Sequence, residues 1–431
     1  MSSNSVTIDV TPKVPLIDEV IHIVVKGLSP CHHATLVCRV SENNARFFST
    51  AIYRSDVNGE VDVSKMAALD GGSYEGVEPM GLIWSMSQEP RQKPGRRMLK
   101  SDVTTPLITH LYVLHGIIPS DECLSFIEDK NWLAYVTFGR LYMAEGVKRI
   151  EVQHGRLVGT LFIPAGQRPF PGVIDLLGTI GGILEERASL LASRGVASFA
   201  LGYFEVGNDK VQYSDLEYFE EGVDYLLSNE NIIKPYVGVI GTSLGGVHAA
   251  ALGTYCPKVQ VCLLISSHSF PGVYEFTYRG KPLPLNEFDL GTIQYSDVGL
   301  IMKYNYTVPR IEQMNSIPVE KGSCTYILIH GEDDQCINPE IAYYIPSRLK
   351  HHGKTNYRVF KYPGTGHLIH PPYNPHYYAT YQPSIKSVIV WGGRRRQHAK
   401  AEVEVWNTIL NILKTELVAS GNDVEPVESR F

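Results

Sequence analysis

The segment Gly241–Gly245, with the sequence G-T-S-L-G, constrains the fold of this chain more than any other. It follows a run typical of a buried strand, Tyr236–Ile240, and precedes small residues typical of a helix. A serine on so sharp a strand-to-helix turn has strained backbone angles and an exposed hydroxyl, and only glycines fit beside it. The strand and helix around the segment favour a nucleophilic serine, Ser243, over an accidental match in a loop.

Catalysis by a serine requires a base that accepts the hydroxyl proton and an acid that orients the base. Where the serine lies on such a turn, the chain order is serine, acid, histidine. A predicted strand over residues 324–330 leads into Asp333 and Asp334, and the next predicted strand leads into His367. The carboxyl ends of parallel strands meet at one edge of a sheet. We predict a triad of Ser243, Asp334 and His367, with Asp333 as the alternative acid because adjacent side chains in a turn point in different directions.

Backbone N–H groups must stabilise the negative oxygen that forms when the serine attacks a carbonyl. The N–H of Leu244, at the start of the predicted helix, is one candidate donor. The loop over residues 178–182 precedes a helix predicted over 183–193 and offers Thr179 and Ile180 as the second donor of the oxyanion hole. The simpler interpretation of this loop is a glycine-rich turn without a catalytic role.

The spacing of apolar residues changes along the chain. Up to about residue 142, short alternating segments broken by Gly, Pro, Asn and Asp predict an all-β sandwich. After a predicted hairpin, strands alternate with helices, which predicts a mostly parallel sheet covered by helices. The expected fold is an α/β hydrolase with an N-terminal all-β sandwich domain. We expect the sandwich over residues 1–142, the catalytic domain over 143–420 and a flexible tail over 421–431.

Further segments accompany the serine motif along nearly the whole chain, in the order in which one enzyme family carries them. Collinear agreement of this extent is far more specific than the serine motif alone. The segments are Pro15–Glu19, Val24–Leu28, Pro79–Ser85, Gly146–Ile150, Tyr218–Gly222 and Pro363–Tyr373.

With these segments the chain resembles the type I acyl-CoA thioesterase and bile acid-CoA:amino acid N-acyltransferase family. The resemblance implies a β-sandwich followed by an α/β-hydrolase domain that acts on acyl-CoA through the residues at 243, 334 and 367. Two positions depart from the family pattern. His370 stands where a glutamate is usual, which puts the function of that carboxylate in question. Ile180 stands where a glycine is common. This isoleucine either reshapes the acyl entrance or is a tolerated substitution in the turn.

The nucleophile separates the two activities that the resemblance covers. Transferases that conjugate bile acids have a cysteine at this turn, and a thioester on cysteine is easily attacked by the nitrogen of glycine or taurine. Ser243 would carry an oxyester, for which water activated by His367 is the expected acceptor. We expect a thioesterase that hydrolyses fatty acyl-CoA and needs no cofactor. Transfer to glycine or taurine and a catalytically inactive binding protein are the alternatives.

Charge and cysteine content argue against other classes. The 39 basic and 45 acidic residues give a net charge of −6, which argues against nucleic-acid binding. Seven cysteines without C-x-x-C spacing predict a reducing compartment and no metal site. The pairs His32-His33 and His351-His352 are expected at the surface rather than in a metal site. No apolar run reaches the about 18 residues of a membrane-spanning segment.

Two segments outside the predicted core elements are also informative. The basic run Arg394–Arg396 is expected in an exposed loop, before a final helix near residues 399–417, with attraction of the CoA phosphates as the alternative role of this run. The stretch from 267 to 306 is long for a connection between core strands and predicts a lid over the acyl pocket, with an insertion without a functional role as the alternative. Its apolar side chains are Tyr274, Phe276, Tyr278 and Tyr295.

The last three residues, Ser429-Arg430-Phe431, resemble a peroxisomal signal of the S-K-L type, with phenylalanine in place of leucine. The bulkier side chain would fit a receptor groove less well. We expect the peroxisome or the cytosol, with the peroxisome slightly favoured and a peroxisomal import receptor as the corresponding partner.

Overall fold

The computed structural model describes residues 5–166, 169–270, 272, 274–283, 286, 289–305 and 315–418. Its N-terminal part contains two antiparallel sheets. The elements of this part are β1 (Thr7–Thr11), β2 (His22–Lys26), β3 (His33–Glu42), β4 (Ala45–Arg54), β5 (Val61–Asp62), α1 (Gly81–Trp84), β6 (Ser87–Gln88), β7 (Leu107–His115), α2 (Cys123–Glu128) and β8 (Ala134–Arg140). One sheet has the strand order β1-β2-β5 and the other the order β6-β4-β3-β7-β8.

The two N-terminal sheets share one apolar core. Ile23 and Val25 of β2 and Leu36 and Cys38 of β3 are all buried within it. Successive side chains of a strand point to opposite faces, so alternate residues face this core. The predicted N-terminal sandwich is confirmed, and the short helices α1 and α2 are additions that the alternating pattern did not predict.

An eight-stranded sheet forms the centre of the rest of the chain. The elements are β9 (Lys148–His154), β10 (Leu157–Ile163), β11 (Gly172–Leu176), α3 (Glu186–Ser193), β12 (Ala197–Leu201), α4 (Leu216–Ser228), β13 (Val237–Thr242), α5 (Leu244–Tyr255), β14 (Val259–Ile265), β15 (Thr277–Tyr278), β16 (Lys281–Pro282), β17 (Gln294–Tyr295), β18 (Leu300–Ile301), β19 (Thr325–Gly331), α6 (Tyr344–His351), β20 (Tyr357–Tyr362), β21 (Ala379–Gln382), β22 (Ser387–Val390) and α7 (Arg395–Glu416). The order of the large sheet is β20-β19-β14-β13-β11-β12-β10-β9. The strands from β20 to β12 are parallel, β10 runs antiparallel to β12, and β9 pairs antiparallel with β10 at the edge of the sheet. The predicted α/β-hydrolase fold is confirmed.

The strand that carries the serine motif, β13, lies in the middle of this sheet and is buried along its whole length. Helix α7 covers it closely: a Cβ added to Gly238 would lie 3.1 Å from Leu413 Cδ2. Trp406 and Ile409 of the same helix are buried beside Leu413. Because β13, β19 and β20 are parallel, their carboxyl ends reach the same edge of the sheet.

Two predicted helix starts were wrong. Helix α3 begins at Glu186 rather than at residue 183, and residues 183–185 belong to the loop that contains Gly181 and Gly182, both with positive φ. Helix α7 begins at Arg395 rather than near residue 399, so the predicted basic loop is the first turn of this helix. The three arginines are exposed, as expected, but two of them contact residues of the N-terminal part of the chain. Arg395 donates to the carbonyl of Ser85 at 3.1 Å, and Arg396 Nη2 lies 2.6 Å from Glu78 Oε1.

The aromatic residues of the predicted lid lie in different environments, and most of them do not face the acyl pocket. Tyr274 lines the cavity described below, but Phe276 is buried against Phe219 of α4, with ring centroids 5.9 Å apart. Tyr278 packs on Tyr255, and Tyr295 is 84% exposed. Only one of the four expected residues therefore faces the cavity.

Candidate active site

Ser243 occupies the turn between β13 and α5 with φ 55° and ψ −121°. Positive φ in a residue with a side chain costs about 1–3 kcal/mol and persists only where the surroundings enforce it. A Cβ added to Gly241 would lie 2.3 Å from the carbonyl oxygen of Gly245, and one added to Gly245 would lie 2.3 Å from the carbonyl oxygen of Leu176. The glycines of the motif are therefore required by close backbone contacts.

The backbone of Ser243 is fixed from the neighbouring strand. Its N–H donates to the carbonyl of Ile265, the last residue of β14, at 3.0 Å. Its carbonyl accepts a hydrogen bond of 2.7 Å from the hydroxyl of Ser267. These contacts hold the turn at the carboxyl edge of the sheet, where Ser243 lines a cavity.

Asp334 and His367 are hydrogen bonded to each other. Asp334 Oδ2 lies 2.8 Å from His367 Nδ1, and Asp334 is fully buried. The other carboxylate oxygen accepts the N–H groups of Cys336 and Ile337, each at 2.8 Å. These three hydrogen bonds fix the position of the carboxylate beside the imidazole.

Trp391 contacts His367 through both its ring and its backbone. The two rings are stacked with centroids 5.4 Å apart, and the N–H of His367 donates to the carbonyl of Trp391 at 2.9 Å. The alternative acid, Asp333, is half-buried, and its Oδ1 accepts from the amide of Gln335 at 3.1 Å. Of the two adjacent aspartates, Asp334 is the one that contacts the imidazole.

Two further histidines lie near Asp334. His330 Nε2 is 3.6 Å from Asp334 Oδ2, beyond hydrogen-bond distance. Burial lowers the pKa of His330, and burial lowers the pKa of His268 to about 3. Both rings are therefore neutral at neutral pH and add no cation beside the carboxylate.

Ser243 and His367 open into a common cavity of about 550 Å³. This volume lies within the range of about 300–1,000 Å³ that is usual for small-molecule sites. The described part of the predicted lid forms one wall of the cavity. Apolar side chains that line that wall are Phe270, Tyr274, Leu290, Ile293, Leu300 and Met302.

The loop after β11 lies directly over the serine. A Cβ added to Gly178 would be 3.1 Å from Ser243 Cβ and 3.7 Å from its Oγ. The carbonyl of Thr179 accepts a hydrogen bond of 2.5 Å from the amide of Gln382. Thr179, Ile180 and Leu244 all line the cavity. The N–H of Leu244 is the first of α5, and the first N–H groups of a helix have no partner within it.

His370 also lines the cavity, where its Nε2 lies 2.9 Å from Arg97 Nη2. Its N–H donates to Glu402 Oε1 at 3.1 Å. Burial, followed by the charge of Arg97, lowers the pKa of His370 well below its usual value, so this ring is neutral. Arg97 comes from the N-terminal part of the chain and was not predicted as a site residue. Nothing in its local sequence distinguishes it, because only the packing of the two parts brings it to the cavity.

No group of three or more His, Cys, Asp or Glu residues that could hold a metal ion occurs in the described part of the chain. The histidines of the pairs at 32–33 and 351–352 are exposed. Among the described helices, none is long and apolar enough to cross a bilayer.

Comparison with known proteins gives collinear matches over both parts of the chain. Residues 18–154 match the family described as acyl-CoA thioester hydrolase/BAAT N-terminal region, and residues 214–419 match BAAT/acyl-CoA thioester hydrolase C terminal. The chain is 36% identical to peroxisomal succinyl-coenzyme A thioesterase of Mus musculus, over 91% of this chain and 92% of that protein. It is 35% identical to bile acid-CoA:amino acid N-acyltransferase of Mus musculus, over 94% and 97%. It is 37% identical to acyl-coenzyme A thioesterase 1 of Homo sapiens, over 91% and 92%.

Proposed function

The chain belongs to the acyl-CoA thioester hydrolase/BAAT family, and on that premise we propose that it hydrolyses fatty acyl-CoA to free fatty acid and CoA. One observation carries the proposal: a serine on a strained turn shares a cavity with a histidine that is hydrogen bonded to a buried aspartate. That arrangement supports a serine nucleophile with a histidine base and an aspartate that orients it.

In the proposed mechanism Asp334 holds the hydrogen of His367 on Nδ1, which leaves Nε2 free to accept a proton. As Ser243 Oγ attacks the thioester carbonyl, His367 Nε2 takes the hydroxyl proton. The tetrahedral intermediate collapses, the carbon–sulfur bond breaks, and the imidazolium returns the proton to the sulfur of CoA. Water then attacks the acyl-serine, again with His367 as the base, and releases the fatty acid and the free hydroxyl of Ser243.

The same proposal assigns the oxyanion hole to the N–H of Leu244 and to an N–H of the loop at Thr179 and Ile180. The position of Leu244 at the start of α5 supports its part, since the N-terminus of a helix favours a negative charge. The contact of Gly178 with Ser243 supports the part of the loop, because it brings the following N–H groups close to the reacting oxygen.

Release of free thiol from palmitoyl-CoA in a single turnover tests the proposal, with a thiol reagent as the readout. Thiol release together with a covalent acyl-enzyme is the expected result. Tight binding of palmitoyl-CoA without any release would instead support a catalytically inactive binding protein.

Amide transfer is the second candidate function, because a relative is an amino acid N-acyltransferase. We expect purified protein given acyl-CoA with glycine or taurine to form mainly free acid. Ser243→Cys is expected to raise the fraction of amide, because an acyl thioester is attacked by amines more readily than an oxyester. Mass spectrometry of the products measures the ratio of amide to acid. Predominant N-acyl amino acid from the wild-type protein would contradict hydrolysis as the main activity.

The peroxisome is the proposed location, with the cytosol as the alternative. The mouse succinyl-CoA thioesterase named above is peroxisomal, which supports it, while Ser429-Arg430-Phe431 lies outside the described residues. A fluorescent protein that ends in the last ten or so residues of this chain is expected to give a punctate signal. Deletion of Phe431 should disperse that signal. Diffuse fluorescence from both fusions would favour the cytosol.

A further inference from the structure

Arg97 is a basic side chain that reaches the cavity of Ser243 and His367 from the segment between β6 and β7. Arg97 is partly exposed, as expected of a residue whose side chain faces a cavity. The guanidinium is charged at every physiological pH and has five N–H donors in a rigid plane. A positive charge is therefore present at the wall of an otherwise mostly apolar cavity.

Arg97 has few hydrogen-bond or ring contacts within the described residues. Its Nη2 donates to His370 Nε2 at 2.9 Å, and its Cζ lies 5.7 Å from the centroid of the Tyr377 ring. Its Nε is buried without a hydrogen-bond partner. Within the described residues no carboxylate oxygen lies within 4.0 Å of its nitrogens. A partly buried guanidinium with few acceptors favours a further acceptor, because buried N–H groups without a hydrogen bond cost free energy.

His370 does not supply the missing negative charge. Because its Nε2 accepts the hydrogen bond from Arg97, the hydrogen of the neutral ring is on Nδ1. The pair of Arg97 and His370 therefore keeps a net charge of about +1. A glutamate at position 370 would neutralise Arg97, so the histidine leaves the guanidinium available to a ligand.

The other charged groups that line the cavity are already engaged. Arg187 Nη2 lies 2.5 Å from Asp175 Oδ1, and Glu205 Oε2 lies 3.3 Å from Lys210 Nζ. Glu186 Oε1 accepts the N–H of Lys100 at 2.6 Å, and burial raises the pKa of Glu186 and so favours its neutral form. Among the described residues that line the cavity, Arg97 is thus the cation without a carboxylate oxygen within 4.0 Å, and Glu186 interacts with it only at longer range.

On the basis of the proposed function, we propose that Arg97 binds the carboxylate of a substrate and that His370 keeps it available for this role. The carboxylate has two sources in this chemistry. It is either the distal acid group of a dicarboxylyl-CoA or the acid group of an amino acid that accepts the acyl chain. In both cases the guanidinium offers two parallel N–H groups to two carboxylate oxygens, which distinguishes an acid from a neutral group of the same size.

The first arm of the test compares adipoyl-CoA with hexanoyl-CoA, which differ only in the distal acid. For a dicarboxylyl substrate, we expect kcat/KM to be about 10-fold or more higher for adipoyl-CoA. Arg97→Gln should remove this preference by lowering kcat/KM for adipoyl-CoA about 10-fold more than for hexanoyl-CoA, because the two substrates share the apolar contacts. His370→Glu should have the same effect, since it gives Arg97 an internal carboxylate. Arg96→Gln is the matched control, because Arg96 is exposed and does not line this cavity.

The second arm compares glycine with glycinamide as acyl acceptors. For an amino acid acceptor, glycine should be preferred by the wild-type protein, and Arg97→Gln should remove the preference. Circular dichroism and thermal midpoints verify that each variant is folded. If the wild-type protein prefers the acid in neither arm, the proposal is wrong, whether or not the variants fold.

A third measurement separates this proposal from the proposed function. If the wild-type protein releases no thiol from any acyl-CoA, thioester hydrolysis is wrong, and calorimetry then tests Arg97 alone. Adipate and N-acetylglycine are titrated into the wild-type protein, with hexanoate as the reference for adipate and N-acetylglycinamide as the reference for N-acetylglycine. About 10-fold tighter binding of one acid, lost in Arg97→Gln, would support the carboxylate site. Equal binding of each acid and its reference would overturn it.

Discussion

Ser243→Ala is expected to lower the turnover of acyl-CoA by about a thousand-fold or more and to abolish the acyl-enzyme. The alanine removes the oxygen that forms the new bond, whereas the cavity and the other proposed catalytic groups remain. The fold should be retained, because the backbone of Ser243 makes its hydrogen bonds to Ile265 and Ser267, and alanine keeps that backbone. Thiol release and mass spectrometry of the protein after mixing with palmitoyl-CoA measure the two effects.

Ser384→Ala provides the control for this variant. Ser384 lines the same cavity but is exposed and donates no hydrogen bond to the proposed catalytic residues. Its replacement should leave turnover within about 2-fold, as expected for a surface substitution. Hydrolysis by Ser243→Ala above about a tenth of the wild-type rate would contradict the assignment of the nucleophile.

Asp334→Asn is expected to lower kcat by about 10³–10⁴-fold while Asp333→Asn stays close to wild type. The asparagine can still accept the N–H groups of Cys336 and Ile337 through its oxygen, which conserves the turn. Its NH₂ group would then face His367 Nδ1 and force the hydrogen of the ring onto Nε2. A ring in that tautomer cannot take the proton of the serine hydroxyl.

Steady-state kinetics and thermal midpoints of the two asparagine variants measure this difference. Equal thermal midpoints would assign the loss of kcat to chemistry rather than to folding. If Asp333→Asn had the larger effect, the acid would be the other aspartate, despite the 2.8 Å contact between Asp334 and His367.

The carboxyl edge of the sheet was predictable from the sequence because its signals are local. The glycines around Ser243 are required by contacts within the turn and with the adjacent strand, which any turn of this shape must make. The same holds for the strands that end near Asp334 and His367, whose apolar runs match β19 and β20. In contrast, the orientation of adjacent side chains in a turn depends on the neighbours of each, so the sequence left Asp333 as an alternative.

The predictions that failed concern segments without a regular apolar spacing. The first turn of α7 carries polar arginines whose partners, Ser85 and Glu78, are more than 300 residues away in the chain. Tyr295 was expected to face the cavity because it is aromatic, yet it is exposed. The arginines depend on contacts with distant segments, which no local sequence pattern predicts.

The sequence by itself determined the α/β-hydrolase fold with its N-terminal sandwich, because the spacing of apolar residues follows from strand and helix geometry. It also determined the family, because collinear segments span nearly the whole chain. Only the tertiary structure decided which aspartate contacts His367 and which charged groups reach the cavity. Arg97 and His370 are about 270 residues apart in the chain but 2.9 Å apart in space. The physical reason is that the charge state and partners of a buried group depend on the whole surrounding shell, which the chain assembles only when its two parts pack together.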